Sequence, residues 1–296
     1  MYSKNRLSLA GEDSEALDID DSVEKKLDWL QSNREPWHQI YDYWKLTYQS
    51  RIACLQVPGA NILSYLDKYP PLKQPFGHKL LISDFNAKYA DLKNNFLDAW
   101  PLVRDKIVGL LERKCRGERT FRGLVKGAGI DYEGAKGNLE IDLLAFTALG
   151  FLLPCATGPR DKKLNKSSRF SKVQASEAFL IKINSNDELD AKIESRKEYL
   201  ENMGQTGNPI PVVIGGGKGK NSCKLNVGDM YYSFDSPVKV IDSCFKVIFA
   251  LGAPYPPEAK HVWTFVQKFL FRLSTPFDCN YPSLYQLAVE LDLDTK

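Results

Sequence analysis

The residues that come closest to a recognisable chemistry are those of VVIGGGKGKNSCKL, residues 212–225. An apolar run enters a glycine cluster, and Lys218 and Lys220 follow. Those residue types can cradle a phosphate, because main-chain N–H groups approach closely where no Cβ intervenes and a lysine adds charge. The spacing is wrong for it. A P-loop needs G-x-x-x-x-G-K-[ST] opening a helix, whereas Gly219-Lys220 is followed by Asn221 and the position five before Gly219 is Ile214. The dinucleotide fingerprint G-x-G-x-x-G fails as well, since Gly215 and Gly217 are followed at 220 by Lys. What comes next has strand and turn character. The segment is therefore expected to be a mobile connection between two strands, with Lys218 and Lys220 offering at most a weak anion contact.

Metal and nucleophilic chemistry find no pattern either. His38, His78 and His261 lie far apart, and none stands within helical reach of another His or a Cys. Cys54, Cys115, Cys155, Cys223, Cys244 and Cys279 are scattered without paired spacing, which suits reduced thiols. There is no G-x-S-x-G elbow. The carboxylates over 187–201 alternate with bases, as on a solvated helix face. The expectation is a protein that is not an enzyme and carries no cofactor.

Two basic tracts remain. Residues 104–126 hold eight bases against three acids, and Arg113, Lys114, Arg116, Arg119, Arg122 and Lys126 are their densest part. Residues 159–172 hold six bases against one acid: Arg160, Lys162, Lys163, Lys166, Arg169 and Lys172. Such clusters suit phosphate backbones or a nuclear import signal. No helix-turn-helix, zinc-finger or RNA-recognition signature accompanies them. The overall charge of +3 argues by itself for neither a nucleic-acid nor a membrane partner.

The elements that must position these groups follow from periodicity. Residues 1–21 are acidic and poor in aromatics, and are expected to be a disordered tail. Trp37, Ile40, Tyr41, Trp44, Tyr48, Ile52 and Leu55 recur at helical spacing behind Pro36. Further helices are expected after Pro58, over 78–89, over 96–111 with Pro101 kinking it or opening a new one, and over 139–153. The glycine-dotted 115–138 reads as a mobile loop, and 157–174 as a basic linker between domains. Beyond it, EAFLIKI (177–183) and PIPVVIGG (209–216) read as strands around a helix. That is a βαβ unit, and a hairpin about Gly228-Asp229 follows it. Ser236 and Pro237 open the next helix, and two more close the chain.

These readings give an α+β fold: a helical domain at 22–156, then a mixed α/β domain at 175–296. No apolar run is long enough for a membrane span, and no export signal opens the chain, so an intracellular protein, nuclear or cytoplasmic, is expected. At YLDKYPPLKQPFGHKLLISDFNAKY (65–89) and ALGAPYPPEAKHVWTFVQKFL (250–270), the chain resembles an uncharacterised, multicopy family of animal proteins. Some of its members are described as sterile-alpha-motif-protein-like or mobile-element-associated. That resemblance implies no reaction and no catalytic residue. It inclines the expectation towards a module for protein partners, with a nuclear nucleic-acid-associated factor using the basic tracts as the alternative.

Overall fold

The computed structural model describes residues 21–57, 60–92, 94–135, 137–161, 166–215 and 222–294. All of the expected tail except Asp21, which begins the first helix, lies outside them, as do Lys162, Lys163, Lys218 and Lys220. The architecture is the expected α+β one, with helices first and a small mixed sheet packed among helices afterwards.

The helical part runs α1 (Asp21–Ser32), α2 (Trp37–Leu46), α3 (Tyr48–Gln56), α4 (Ile62–Lys68), α5 (His78–Lys88), α6 (Asn95–Gly117), α7 (Arg119–Gly127) and α8 (Asn138–Leu152). The aromatic stripe expected as one helix is two, broken at Thr47. Its hydroxyl donates back to the Tyr43 carbonyl at 2.7 Å and also accepts from Arg51 Nε at 3.1 Å. Pro101 neither ends nor restarts α6 but lies within it. Asn61 caps α4 by accepting from the Leu63 N–H at 2.9 Å.

The loop expected at 115–138 is a correction, since it is helical as far as Gly127. Glycine weakens a helix by only about 1 kcal/mol relative to alanine, and burial of Val125 at its inner face outweighs that. The linker expected at 157–174 is likewise structured where it is described. Here β1 (Thr157–Asp161) and β2 (Lys166–Arg169) pair antiparallel, and α9 (Lys172–Phe179) follows. Ser171 caps α9 reciprocally with Gln174, a capping box that the expected strand at 177–183 overlooked. Only Ile181–Ile183, β3, is strand there.

The sheet is ordered β3-β4-β5-β6, with β4 at Ile210–Ile214, β5 at Ser222–Val227 and β6 at Met230–Phe234. After β3, α10 (Leu189–Asn202) crosses to β4, which pairs parallel with β3, as Ile181 opposite Val212. The hairpin turns at Gly228, whose φ of +58° suits glycine. Alternation along β4 sets the layers. Val212 and Ile214 face α10 with Leu189, Ile193 and Leu200, while Val213 joins the main core.

That main core does not stop at the expected domain boundary. It centres on α11 (Pro237–Leu251), capped by Ser236 and closed by Gly252 at φ +62°. Around it, α12 (Lys260–Phe265) continues as a π-turn over Val266–Leu270, and α13 (Pro282–Glu290) completes the chain. Stacked rings bridge the two halves: Trp100 on Phe146 at 4.0 Å, Phe96 on Phe271 at 5.3 Å, Phe245 on Phe271 at 3.8 Å. One buried cluster thus holds residues from Leu30 to Leu291. Among the described residues, no helix is long and apolar enough to cross a membrane.

Candidate functional site

The first basic tract lies on the last turn of α6 and on α7. Helical spacing sorts α7 cleanly. Arg119, Arg122 and Lys126, at i, i+3 and i+7, share one face. Phe121, Val125 and Ala128, at i, i+4 and i+7, pack against the core on the other. The bases are exposed. Over residues 112–127 there are six bases against two acids. Two of the six are ion-paired, Lys114 with Glu290 at 3.2 Å and Arg116 with Glu112 at 2.9 Å. Arg113, Arg119, Arg122 and Lys126 have no carboxylate partner among the described residues.

The second tract reaches the first only in part. Arg160 and Lys166 lie in β1 and β2, and Arg169 at the end of β2 is exposed. Lys172 is half-buried and donates its ammonium to the Leu153 carbonyl. Burial lowers its pKa, and the positive charge of Lys114 lowers it further, against a smaller upward pull from Cys155. The two tracts are thus electrically in contact at Lys114 and Lys172. Lys172 is engaged by the main chain and serves the fold. The face open to a ligand is α7 with Arg113.

The glycine segment is bracketed by strands. The Gly215 N–H donates to the Ile183 carbonyl at 2.7 Å, and β4 pairs antiparallel with β5 on the far side. No helix opens behind the glycines, as a phosphate loop would require.

The histidines and cysteines stay apart. His38 is exposed, His78 is buried against Tyr232 and Phe234 with ring centroids at 5.0 Å, and His261 Nδ1 lies 2.8 Å from the Pro154 carbonyl. Among the described residues no group of three or more His, Cys, Asp or Glu could hold a metal ion.

Two features escaped sequence reasoning. A cleft of about 530 Å³ opens between the 128–135 segment, α8 and α9, with Ile130, Leu144 and Phe151 in its walls. Lys182 of β3 lines it. The surrounding protein desolvates its ammonium and pushes its pKa down to about 8, although the residue as a whole counts as exposed. The hydroxyls in the cleft are held by main-chain carbonyls and not by a base: Thr147 donates to Leu143 at 2.7 Å, Ser176 to Thr147 at 3.3 Å. A lysine between two isoleucines in a strand gives no sequence signal. The other feature is a buried ion pair, Arg51 with Asp84 at 2.6 Å, between residues 33 apart in the chain. It joins α3 to α5 and is part of the scaffold.

No protein-family model, curated protein or solved structure matches the chain, so its resemblance to the multicopy animal proteins rests on its own motifs.

Proposed function

We propose that this is a non-enzymatic binding protein that holds the phosphate backbone of a nucleic acid against α7 and the end of α6. One observation carries the reading: Arg119, Arg122 and Lys126 project from a single exposed helix face beside Arg113, and none of the four has a carboxylate partner among the described residues. Surface bases usually sit beside acids. A set left unneutralised on one face is an electrostatic footprint for a polyanion. Contact through charge alone positions a backbone without reading sequence, so the binding is expected to be sequence-tolerant.

Fluorescence anisotropy with labelled duplex and single-stranded probes across a salt series tests it. Four phosphate contacts give a slope of log K against log salt of about −3 to −4 on duplex DNA. Changing Arg119, Arg122 and Lys126 together to Gln should reduce that slope by about 2 to 3 and leave the melting temperature nearly unchanged. A flat salt response, or an unaltered slope in the triple variant, overturns the reading.

A protein partner is the second reading, and different residues favour it. Leu102 and Val289 are 64% and 66% exposed. Lys106 donates to the Asp292 carbonyl at 2.7 Å, which holds the end of α13 along α6. A partner that survives nuclease treatment and is lost with Leu102→Ser supports it. Loss of every partner on nuclease treatment removes it.

A further inference from the structure

A second cavity, of about 160 Å³, lies where the end of α10, the 205–208 segment and the β5–β6 turn meet. It is a built site. Arg196 of α10 grips Glu258 with both terminal nitrogens, at 2.7 and 3.1 Å. Gln205 donates to the Tyr255 carbonyl at 3.2 Å. The backbone is fixed at both edges: Gly207 at φ +74° would drive a Cβ to 2.7 Å from Ile62, and Gly228 at φ +58° would bring one to 3.1 Å from Leu66.

Within these walls two side-chain amides have oxygens without a partner. Asn208 is 5% exposed and Asn226 1%, and both line the cavity. Of the five buried side-chain atoms lacking a hydrogen-bond partner among the described residues, two are Asn208 Oδ1 and Asn226 Oδ1. Their orientation is settled by their nitrogens. Asn208 Nδ2 donates to the Pro254 carbonyl at 2.7 Å and to Gln205 Oε1 at 3.2 Å, and Asn226 Nδ2 donates to the Met230 carbonyl at 3.2 Å. Carbonyls only accept, so neither amide can turn round to hide its oxygen.

The unmet need is for donors. The charges around the cavity specify their sign: Glu194, Glu201 and Asp229 stand against Lys197 alone. Lys197 lies 3.8 Å from Glu194 and 3.6 Å from Asp229, which leaves Glu201 outside that pairing. The volume is smaller than the 300–1,000 Å³ or so that encloses a whole small molecule, so what enters is an end group on a stem. A guanidinium offers five N–H donors, no acceptor and a fixed positive charge.

We infer that this cavity is a guanidinium-binding site, in which an arginine-type group donates to Asn208 Oδ1 and Asn226 Oδ1 while Glu194, Glu201 and Asp229 balance its charge. The group comes either from free arginine or from an arginine side chain on a partner peptide. It is a separate site from the basic face and does not depend on it.

Titration of the full chain by NMR or calorimetry decides it. The probes are free arginine, N-acetylarginine amide, N-acetyllysine amide, the neutral isostere N-acetylcitrulline amide, and a Gly-Arg-Gly peptide. The arginine derivative should bind with Kd on the order of 1 mM, the citrulline one at least about 10-fold more weakly. Glu201→Gln, an exposed change that leaves the fold alone, should weaken it about 3-fold. Asn226→Leu should weaken it about 10-fold or more. Tighter binding of the peptide assigns the site to a partner chain; tighter binding of free arginine assigns it to a small molecule. Equal affinity for arginine and citrulline derivatives, tighter binding of the lysine derivative, no binding by any probe, or an arginine affinity unmoved by Glu201→Gln overturns the inference.

Discussion

Arg51 and Asn226 are both buried polar residues, yet their surroundings treat them in opposite ways. All five N–H donors of Arg51 are engaged. Nε donates to Thr47 Oγ1, Nη1 to Tyr65 and Asp84, and Nη2 to Asp84 and the Trp44 carbonyl, at distances from 2.6 to 3.1 Å. The guanidinium also lies 3.6 Å from the centre of the Trp44 ring. Asn226 engages its nitrogen and leaves its oxygen without a partner. A polar group whose every valence the fold fills is there to fix the fold. One whose valence stays open imposes a free-energy penalty of about 1–3 kcal/mol, and that is where a ligand finds purchase.

The sharpest way to break this comparison is Asp84→Asn. It leaves Arg51 charged, 0% exposed and without its counter-charge. Removing one partner of a buried pair destabilises by about 3–5 kcal/mol, because the remaining charge stays desolvated. Urea denaturation should show the midpoint falling with the slope unchanged. A loss below about 1 kcal/mol would mean that water already reaches the pair, which places it among weakly contributing surface bridges.

His78 lies between the two cases. It is buried, its Nδ1 has no partner, and burial first, then the charge of Lys79, push its pKa down from 6.5 to about 4. Above pH 6.5 both folded and unfolded chains carry it neutral. As the pH falls towards 4 the unfolded chain takes up the proton while the folded one resists. Stability present at neutral pH is therefore lost on acidification, by on the order of 3 kcal/mol across that window. Carboxylates add their own acid dependence, so the test is a difference. His78→Phe should flatten the pH profile between 6.5 and 4 relative to the parent chain, and parallel profiles would show that His78 titrates normally.

How much of this was legible in the sequence follows from the range over which each signal acts. Ser236, Pro237 and Gly252 announce both ends of α11 because caps are local chemistry, and Gly228-Asp229 announces the hairpin for the same reason. The apolar PIPVVI predicted a buried strand, and β4 is buried throughout. Local signals also misled. Gly117, Gly123 and Gly127 suggested a loop where tertiary burial of Val125 and Phe121 holds a helix. The polar residues of 157–174 suggested a boundary where a hairpin and a capped helix pack onto one continuous core. The bases of α7 were named from composition, but which of them lack acidic partners depends on Glu290, far along the chain. The Asn208–Asn226 cavity left no trace in the sequence. Asparagine beside glycine reads as turn chemistry, and only the positions of the Pro254 and Met230 carbonyls decide which amide atom is left over.

The smallest expected effect makes the comparison sharpest. Asn226→Leu replaces a side chain of similar volume at a position 1% exposed within β5. It removes the hydrogen bond to the Met230 carbonyl, which destabilises by about 1 kcal/mol, and it also removes an acceptor that the free protein never satisfies. The two changes oppose each other, so stability should move by no more than about 1 kcal/mol in either direction. Asp84→Asn has no such compensation, since nothing in the Arg51 site is left unmet. Thermal melts of the two variants side by side, each checked for an unchanged far-UV spectrum, give the contrast directly. If Asn226→Leu destabilised as strongly as Asp84→Asn, the Asn226 oxygen would have to be satisfied in the free protein, and the cavity would be scaffold in the same sense as the Arg51 site. A near-neutral Asn226→Leu that has lost affinity for the arginine derivative places the open valence in recognition instead.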